Sequence, residues 1–333
     1  MGVPHMSRRA VLALAGSAAL LAAAPGALAQ QQDFPVKGKP IRIVVPFTAG
    51  GGTDAQARIV ALKLGELLGT TVIVDNKPGA STMLGASEVA RAAPDGYTVL
   101  YAPSSTMAQN PHTLNNVPYD PFRDFTPVSL GGRGPLVLMI SSEVPANNVK
   151  ELVAYMKANA GKVSYATFGA GTSSHIYGEM FLKKTGTEAV HVPYKGGSDA
   201  AKDLIGGRVQ LFFDSAASAI ITAGTGKVKI IGIASESRIA ALPDVPTLAE
   251  QGVPGLDLPS WLGFYGPAKM PPAVVKTLNA GIARVLAMPE VKEFYRKGGY
   301  EAGGMSPEDF SRLTHVTYDR WGAMIQQLGM TKQ

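Results

Sequence analysis

The 333-residue chain contains no cysteine. That single absence excludes disulfides, zinc ribbons, thiol nucleophiles and iron–sulfur ligation together. Charged residues are scarce at 17%, and 31 Lys plus Arg stand against 25 Asp plus Glu, for a net charge of +6. The basic excess is not gathered into a stripe interleaved with aromatics, so a nucleic-acid partner is not expected. There is no Gly-x-Ser-x-Gly elbow and no His-Glu-x-x-His, and the glycine-rich turns lack the Gly-Lys-Ser/Thr ending of a nucleotide P-loop. Five histidines (His5, His112, His175, His191, His315) are too scattered to suggest a metal site. No cofactor or metal is expected. Beyond the first thirty residues no apolar run approaches the roughly 20 residues of a membrane span.

What the chain does contain begins with an export address. Met6-Ser7-Arg8-Arg9 is followed by an apolar run from Ala10 to Ala24, then by a breaker and an Ala-x-Ala pattern in Pro25-Gly26-Ala27-Leu28-Ala29. These are the three regions of a secretory signal in order. Residues 1–29 are read as that signal, cleaved near Ala29. Its removal takes away two arginines and no acid, leaving +4. The mature protein is therefore expected outside the inner membrane, in the periplasm. Chemistry that needs ATP or reduced nicotinamide is not expected there.

An apolar fraction of 46% is that of a folded core. From residue 41 short apolar runs alternate with amphipathic segments. Ile41–Pro46, Thr71–Val74, Tyr97–Tyr101, Leu136–Ile140, Val163–Ala166, Val190–Pro193, Val209–Phe213, Val228–Ala234 and Leu262–Tyr265 read as strands. Helices of eight to twenty-odd residues separate them, the first near 54–68 with Val60, Leu64, Leu67 and Leu68 on one face. This grammar implies an α/β fold with mostly parallel sheets covered on both faces. Two irregular, proline-rich zones, 103–127 and 242–259, bracket a central block. The chain is thus expected to form two domains joined by a double crossover, residues 30–128 with 260–333 in one and 129–259 in the other. A cleft between such domains is a natural ligand site and suits hinge closure.

Three polar turns are expected at the carboxyl ends of strands, where open α/β sheets bind ligands. Phe47-Thr48-Ala49-Gly50-Gly51-Gly52-Thr53-Asp54 joins strand to helix, with Thr53 as the expected N-cap. Either it is a tight structural turn or its free amides cradle an anion at a helix N-terminus. Gly171-Thr172-Ser173-Ser174-His175 repeats the pattern with Thr172 as cap, and Ser104-Ser105-Thr106 follows a third strand. Amide and hydroxyl donors without a committed positive charge suit a carboxylate, which accepts about four hydrogen bonds. Tyr194-Lys195-Gly196 ends another strand in a glycine turn. Asp214 sits where it either faces a cleft or caps the next helix. Trp261 lies at the second crossover, as a cleft wall or as core packing. Arg133, at the first crossover, is the expected partner of a second ligand carboxylate, favouring a dicarboxylate, aliphatic or aromatic. A serine–histidine pair is the best enzymatic reading, but His175 follows Ser173 and Ser174 too closely on one helix to face them.

Several of these segments resemble one family. PIRIVVPFTAGGGTDAQAR (40–58), VDNKPGAS (74–81), ARAAPDGYTVL (90–100), GTSSH (171–175), HVPYKGGSDA (191–200), FFDSAASA (212–219) and ALPDVPTLAEQG (241–252) are similar to the extracytoplasmic solute-binding proteins of the tripartite tricarboxylate transporter type, the Bug receptors of proteobacteria. The resemblance implies a monomeric two-domain periplasmic receptor of the Venus-flytrap kind, type II-like, that closes on a small organic acid without catalysis and delivers it to a membrane permease. Signalling through a sensor kinase, or a secreted enzyme acting on an acid, are the alternatives. Position by position it points to Gly50–Asp54, Ser104–Thr106, Thr172–His175, Tyr194–Gly196 and Asp214. Thr48-Ala49 replaces the family's usual proline pair, and Ser215 stands where its asparagine is common.

Overall fold

Strand β1 (Ile41–Val45) is apolar on both faces apart from Arg42, the pattern of a strand covered by helices on each side. In the computed structural model, which describes residues 1–2, 34–258 and 260–333, it lies inside the first of two sheets. The proposed signal sequence falls almost wholly outside the described residues.

After β1 come α1 (Gly52–Leu68), β2 (Val72–Asn76), α2 (Met83–Ala90), β3 (Thr98–Pro103), the short α3 (Ser104–Ala108) and α4 (Asn110–Thr113), and β4 (Phe125–Gly134). The chain then enters a second sheet through β5 (Leu136–Ser141), α5 (Val149–Ala158), β6 (Ser164–Thr167), α6 (Ser173–Thr185), β7 (Val190–Pro193), α7 (Gly197–Ile205), β8 (Leu211–Ser215), α8 (Ala216–Ala223) and β9 (Val228–Ala234). It returns to the first sheet as β10 (Ser260–Pro267), followed by α9 (Pro272–Ala287), α10 (Pro289–Lys297), β11 (Glu301–Ala302) and α11 (Pro307–Leu328).

The first sheet has the order β11-β4-β10-β3-β1-β2 and the second β7-β6-β8-β5-β9. Each is mixed rather than mostly parallel. β1 runs parallel to β2 and β3, and β6 to β7 and β8, as βαβ units require. The strands that carry the chain between sheets, β4, β5, β9 and β10, pair antiparallel. A strand arriving from the other sheet is not bound by the crossover rule.

β4 is the element that composition hides. Pro127 and three glycines disguise it as loop, yet it pairs with β10 along its length. The glycines exist for aromatic rings. A Cβ on Gly131 would collide with Tyr101, one on Gly132 would lie 2.7 Å from Tyr295, and one on Gly134 2.7 Å from Tyr300. β10 itself is buried throughout. Its odd residues Trp261 and Tyr265 pack with Phe310 of α11, and its even residues Leu262 and Phe264 join the larger core. Phe310 crosses directly over Gly263.

Gly263→Ala is expected to destabilise the fold by at least about 1–3 kcal/mol, because its methyl would occupy the Phe310 ring and neither strand nor helix can yield cheaply. Denaturant unfolding of the variant checks this; an unchanged midpoint would mean that α11 is loosely seated.

Candidate functional site

The first glycine loop is held by a buried carboxylate. Asp54 accepts from the Gly50 amide and Arg58 Nε through Oδ2, both at 2.9 Å, and from Asn76 Nδ2 through Oδ1 at 3.1 Å. Asn76 Nδ2 also donates to the Phe47 carbonyl at 3.0 Å. Burial opposes ionisation, but the hydrogen bonds from Arg58, Gly50 and Asn76 outweigh it and hold the carboxyl below its ordinary value. Thr53 is not the N-cap. Gly51 occupies that position in extended geometry (φ −84°, ψ 173°), so α1 starts two residues earlier and Thr53 falls in its first turn. Gly50 at φ 86° makes the bend.

The corresponding loop of the second sheet turns through Gly169 (φ 132°) and Gly171 (φ 73°) into α6. Thr172 is the N-cap residue, but its hydroxyl donates back to the Gly169 carbonyl at 2.6 Å instead of capping. Ser174 donates to the Phe213 carbonyl at 2.6 Å, tying α6 to β8. His175 is a support beneath the loop. Its Nδ1 accepts from the Gly171 amide at 3.1 Å, and its ring stacks on His191 with centroids 4.2 Å apart. His191 Nε2 meets Thr167 Oγ1 at 2.7 Å. Burial pushes both imidazoles down to about 4, with His175 adding to the effect on His191.

The two sets of loops touch. Ser198 Oγ donates to the Ala49 carbonyl at 3.1 Å and lies 3.3 Å from Thr48 Oγ1. Ser173 Oγ donates to Gln109 Oε1 at 2.8 Å, Thr113 Oγ1 to the Gly171 carbonyl at 3.2 Å, and Phe47 meets Phe168 edge-on at 5.7 Å. A cavity of about 50 Å³ is enclosed between them. Phe47, Thr48, Gly51, Gly52, Thr53 and Asp54 line it from the first sheet, with Phe168, Ser173, Gly197, Ser198, Asp214, Ser215 and Ser218 from the second. Pro103, Leu136, Ser260, Leu262 and Tyr300 complete the wall. An outer cavity of about 180 Å³, reached past Ser198 and Ser218, includes Gly50, Lys202 and Ile221.

No lysine or arginine lines the enclosed cavity. Asp214 lines it with only 3% of its surface exposed. Its Oδ1 accepts from the Ser215 amide at 2.7 Å, while Oδ2 is buried without a partner. The capping role that was its alternative belongs to Ser215, whose hydroxyl accepts from the Ser218 amide at 3.3 Å.

Other expected residues lie elsewhere. Ser104, Ser105 and Thr106 are wholly buried in α3; Thr106 Oγ1 pairs with Thr82 Oγ1 at 2.8 Å, and the two serine hydroxyls have no partner. Only Pro103, just before them, reaches the cavity. Tyr194 turns away to donate to Asp203 at 2.7 Å, Lys195 is exposed, and Gly196 packs against Thr48. Arg133 and Trp261 fail as wall residues for one reason. They are register partners on β4 and β10, and so share the sheet face that α11 covers. Trp261, 1% exposed, donates to Thr317 at 3.2 Å, and Arg133 rests against Met305. The neighbouring strand residue, Leu262, takes the cavity face. Gly197, Ser198 and Ser215 adjoin expected segments; Tyr300, from beyond α10, had no sequence signal.

Comparison with known proteins gives a consistent picture. A family model described as tripartite tricarboxylate transporter family receptor matches residues 56–330. The structure of the periplasmic binding protein BugD is 35% identical, with a TM-score of 0.85 over 88% of this chain and 99% of that one. A Rhodopseudomonas palustris protein solved with adipate is 32% identical, with a TM-score of 0.87 over 90% of this chain and 100% of the other. MatC from the same organism, solved with bound malate, is 29% identical, with a TM-score of 0.83 over 88% and 100%.

The stacked histidines predict acid sensitivity. An imidazole held near 4 in the fold and near 6.5 in the unfolded chain is protonated first in the unfolded chain. The stability it contributes is complete above about pH 6.5 and is lost as pH falls toward 4. For His175, 3% exposed, the loss is on the order of 2–3 kcal/mol. Thermal unfolding between pH 7 and 4 should show a steeper decline for the native chain than for His175→Asn, which keeps an acceptor for Gly171. Equal slopes would refute the assignment.

Proposed function

The chain belongs to the tripartite tricarboxylate transporter receptor family, and on that premise we propose that it captures a small organic acid between its two sheets and delivers it to a membrane permease of the same transporter type. Family members are periplasmic binding proteins. For this chain the reading adds an export signal in residues 1–29, a monomeric mature form, and two lobes built on the two sheets. The first lobe comprises residues 30–128 with 260–333 and extends through β4 to Gly134. The second runs from Leu136 to about 259.

One observation carries the reading: the cavity enclosed by strand-end loops of both sheets, rich in hydroxyls and amides and free of lysine and arginine. Carboxylate oxygens accept from such groups, each charge-assisted bond contributing roughly 1.5–3 kcal/mol. The leading amides of α1 have no partner within the helix, and its dipole adds partial positive charge there. Thr48, the Gly51–Thr53 amides and, once its bridge to Ala49 is broken, Ser198 are the proposed carboxylate cradle. Adipate and malate, the acids held by two relatives, are both dicarboxylates, which supports that class for this chain. At about 50 Å³ the cavity is narrow for a four-carbon diacid. Admitting such an acid is expected to part the lobes and break the Ser198 bridge to Thr48 and Ala49.

Thermal unfolding of the mature protein against mono-, di- and tricarboxylates tests the proposal. A ligand at 100 times its Kd adds about 2.7 kcal/mol, a shift of several degrees for a chain of this size. A clear shift with one acid class and contraction in solution scattering are expected. A flat panel after unfolding and refolding free of carried-over ligand would overturn the reading.

A further inference from the structure

The cavity wall holds two carboxyls with opposite fates. Asp54 is neutralised by Arg58 and satisfied by Gly50 and Asn76. Asp214 has no cationic partner among the described residues, and one of its oxygens accepts nothing. Burial raises its carboxyl to about 6, so at neutral pH it is an acceptor placed where water is largely excluded. A buried acceptor left unpaired is costly, and each one in a folded protein needs an explanation.

The neighbourhood keeps this oxygen clear. A Cβ on Gly197, at the start of α7, would stand 3.1 Å from Oδ2 and 3.2 Å from Oδ1, so a glycine there spares the carboxylate a side chain pressed against it. Oδ1 is already committed to the Ser215 amide. The free oxygen thus belongs to a cavity whose remaining polar groups are mainly donors suited to a carboxylate. An anion alone would meet those donors and be repelled by Asp214.

We propose that the ligand is an acid bearing a hydroxyl or ammonium group in addition to its carboxylate, and that Asp214 Oδ2 accepts a hydrogen bond from that group. The inference rests on the receptor reading above and narrows its ligand class. Asp214 becomes the residue that separates hydroxy and amino acids from their unsubstituted counterparts. A site that binds through a buried polar group discriminates strongly against analogues lacking the matching atom, because its own group is then left unpaired.

Matched trios test this by calorimetry on the mature protein: malate, aspartate and succinate, then lactate, alanine and propionate. The substituted acids should bind about 10- to 100-fold more tightly than the unsubstituted one, the range of a single hydrogen bond to a charged group. Whether hydroxyl or ammonium is preferred reads directly from malate against aspartate. Asp214→Leu should abolish the preference. Leucine fills the space of the carboxyl but offers no acceptor, so hydroxy and amino acids alike lose their advantage over the unsubstituted acid. Equal affinities for substituted and unsubstituted acids in the native protein would overturn the inference and leave the receptor reading standing. So would an unchanged preference in a folded Asp214→Leu variant. Binding of no acid at all would remove the receptor reading and this inference with it.

Discussion

The Asp54 carboxylate is the constraint on which the candidate site depends. One side chain fixes the glycine bend through Gly50, the first turn of α1 through Arg58, and the end of β2 through Asn76. Without it three successive glycines would leave the loop with many conformations, and ordering them on ligand binding would consume much of the available affinity. With it the loop is set before a ligand arrives. Asn76 shares in this, since the same amide also grips the Phe47 carbonyl on the loop's far side. The second sheet solves the same problem with a neutral device, a histidine acceptor beneath Gly171 braced by ring stacking.

These supports matter because no lysine or arginine lines the site. A cleft lined by lysine or arginine attracts any anion at long range; a cleft of hydroxyls and amides binds only what fits its geometry. Selectivity then depends on where each donor and acceptor is held. Glycine serves the same end in the scaffold, where β4 gives up side chains so that Tyr101, Tyr295 and Tyr300 pack close against it. Tyr300 is carried to the cavity wall by that packing.

Much of this was legible in the sequence. Strands such as Val228–Ala234 and helices such as Ser173–Thr185 stand where their periodicity places them, because a buried face leaves its period in the text. The loops at strand ends were legible for the same reason, their glycines and hydroxyls falling where a strand must become a helix. β4 was not, since its glycines answer rings far away in the chain. Arg133 and Trp261 were misplaced because their facing depends on β4 continuing as a strand, and one residue of register decides which side of a sheet a side chain takes. Thr53 gave way as cap to Gly51, a choice that depends on the Asp54 cluster. Tyr300 illustrates the limit: no local pattern states which distant loop will close a cavity.

One link between the sheets has a mechanical reading. Pro135 alone separates β4 from β5, so the first crossing is a single stiff residue whose φ is fixed by its ring. Leu136, immediately after it, is part of the cavity wall. The fulcrum and the chamber therefore share adjacent atoms. On the proposed receptor reading, a guest that presses on Leu136 would act beside this link, where a small local displacement would become a larger one at the far rims of the lobes. Guests of different girth would be written into the protein's outer contour as different angles, a signal that a partner can read without touching the guest.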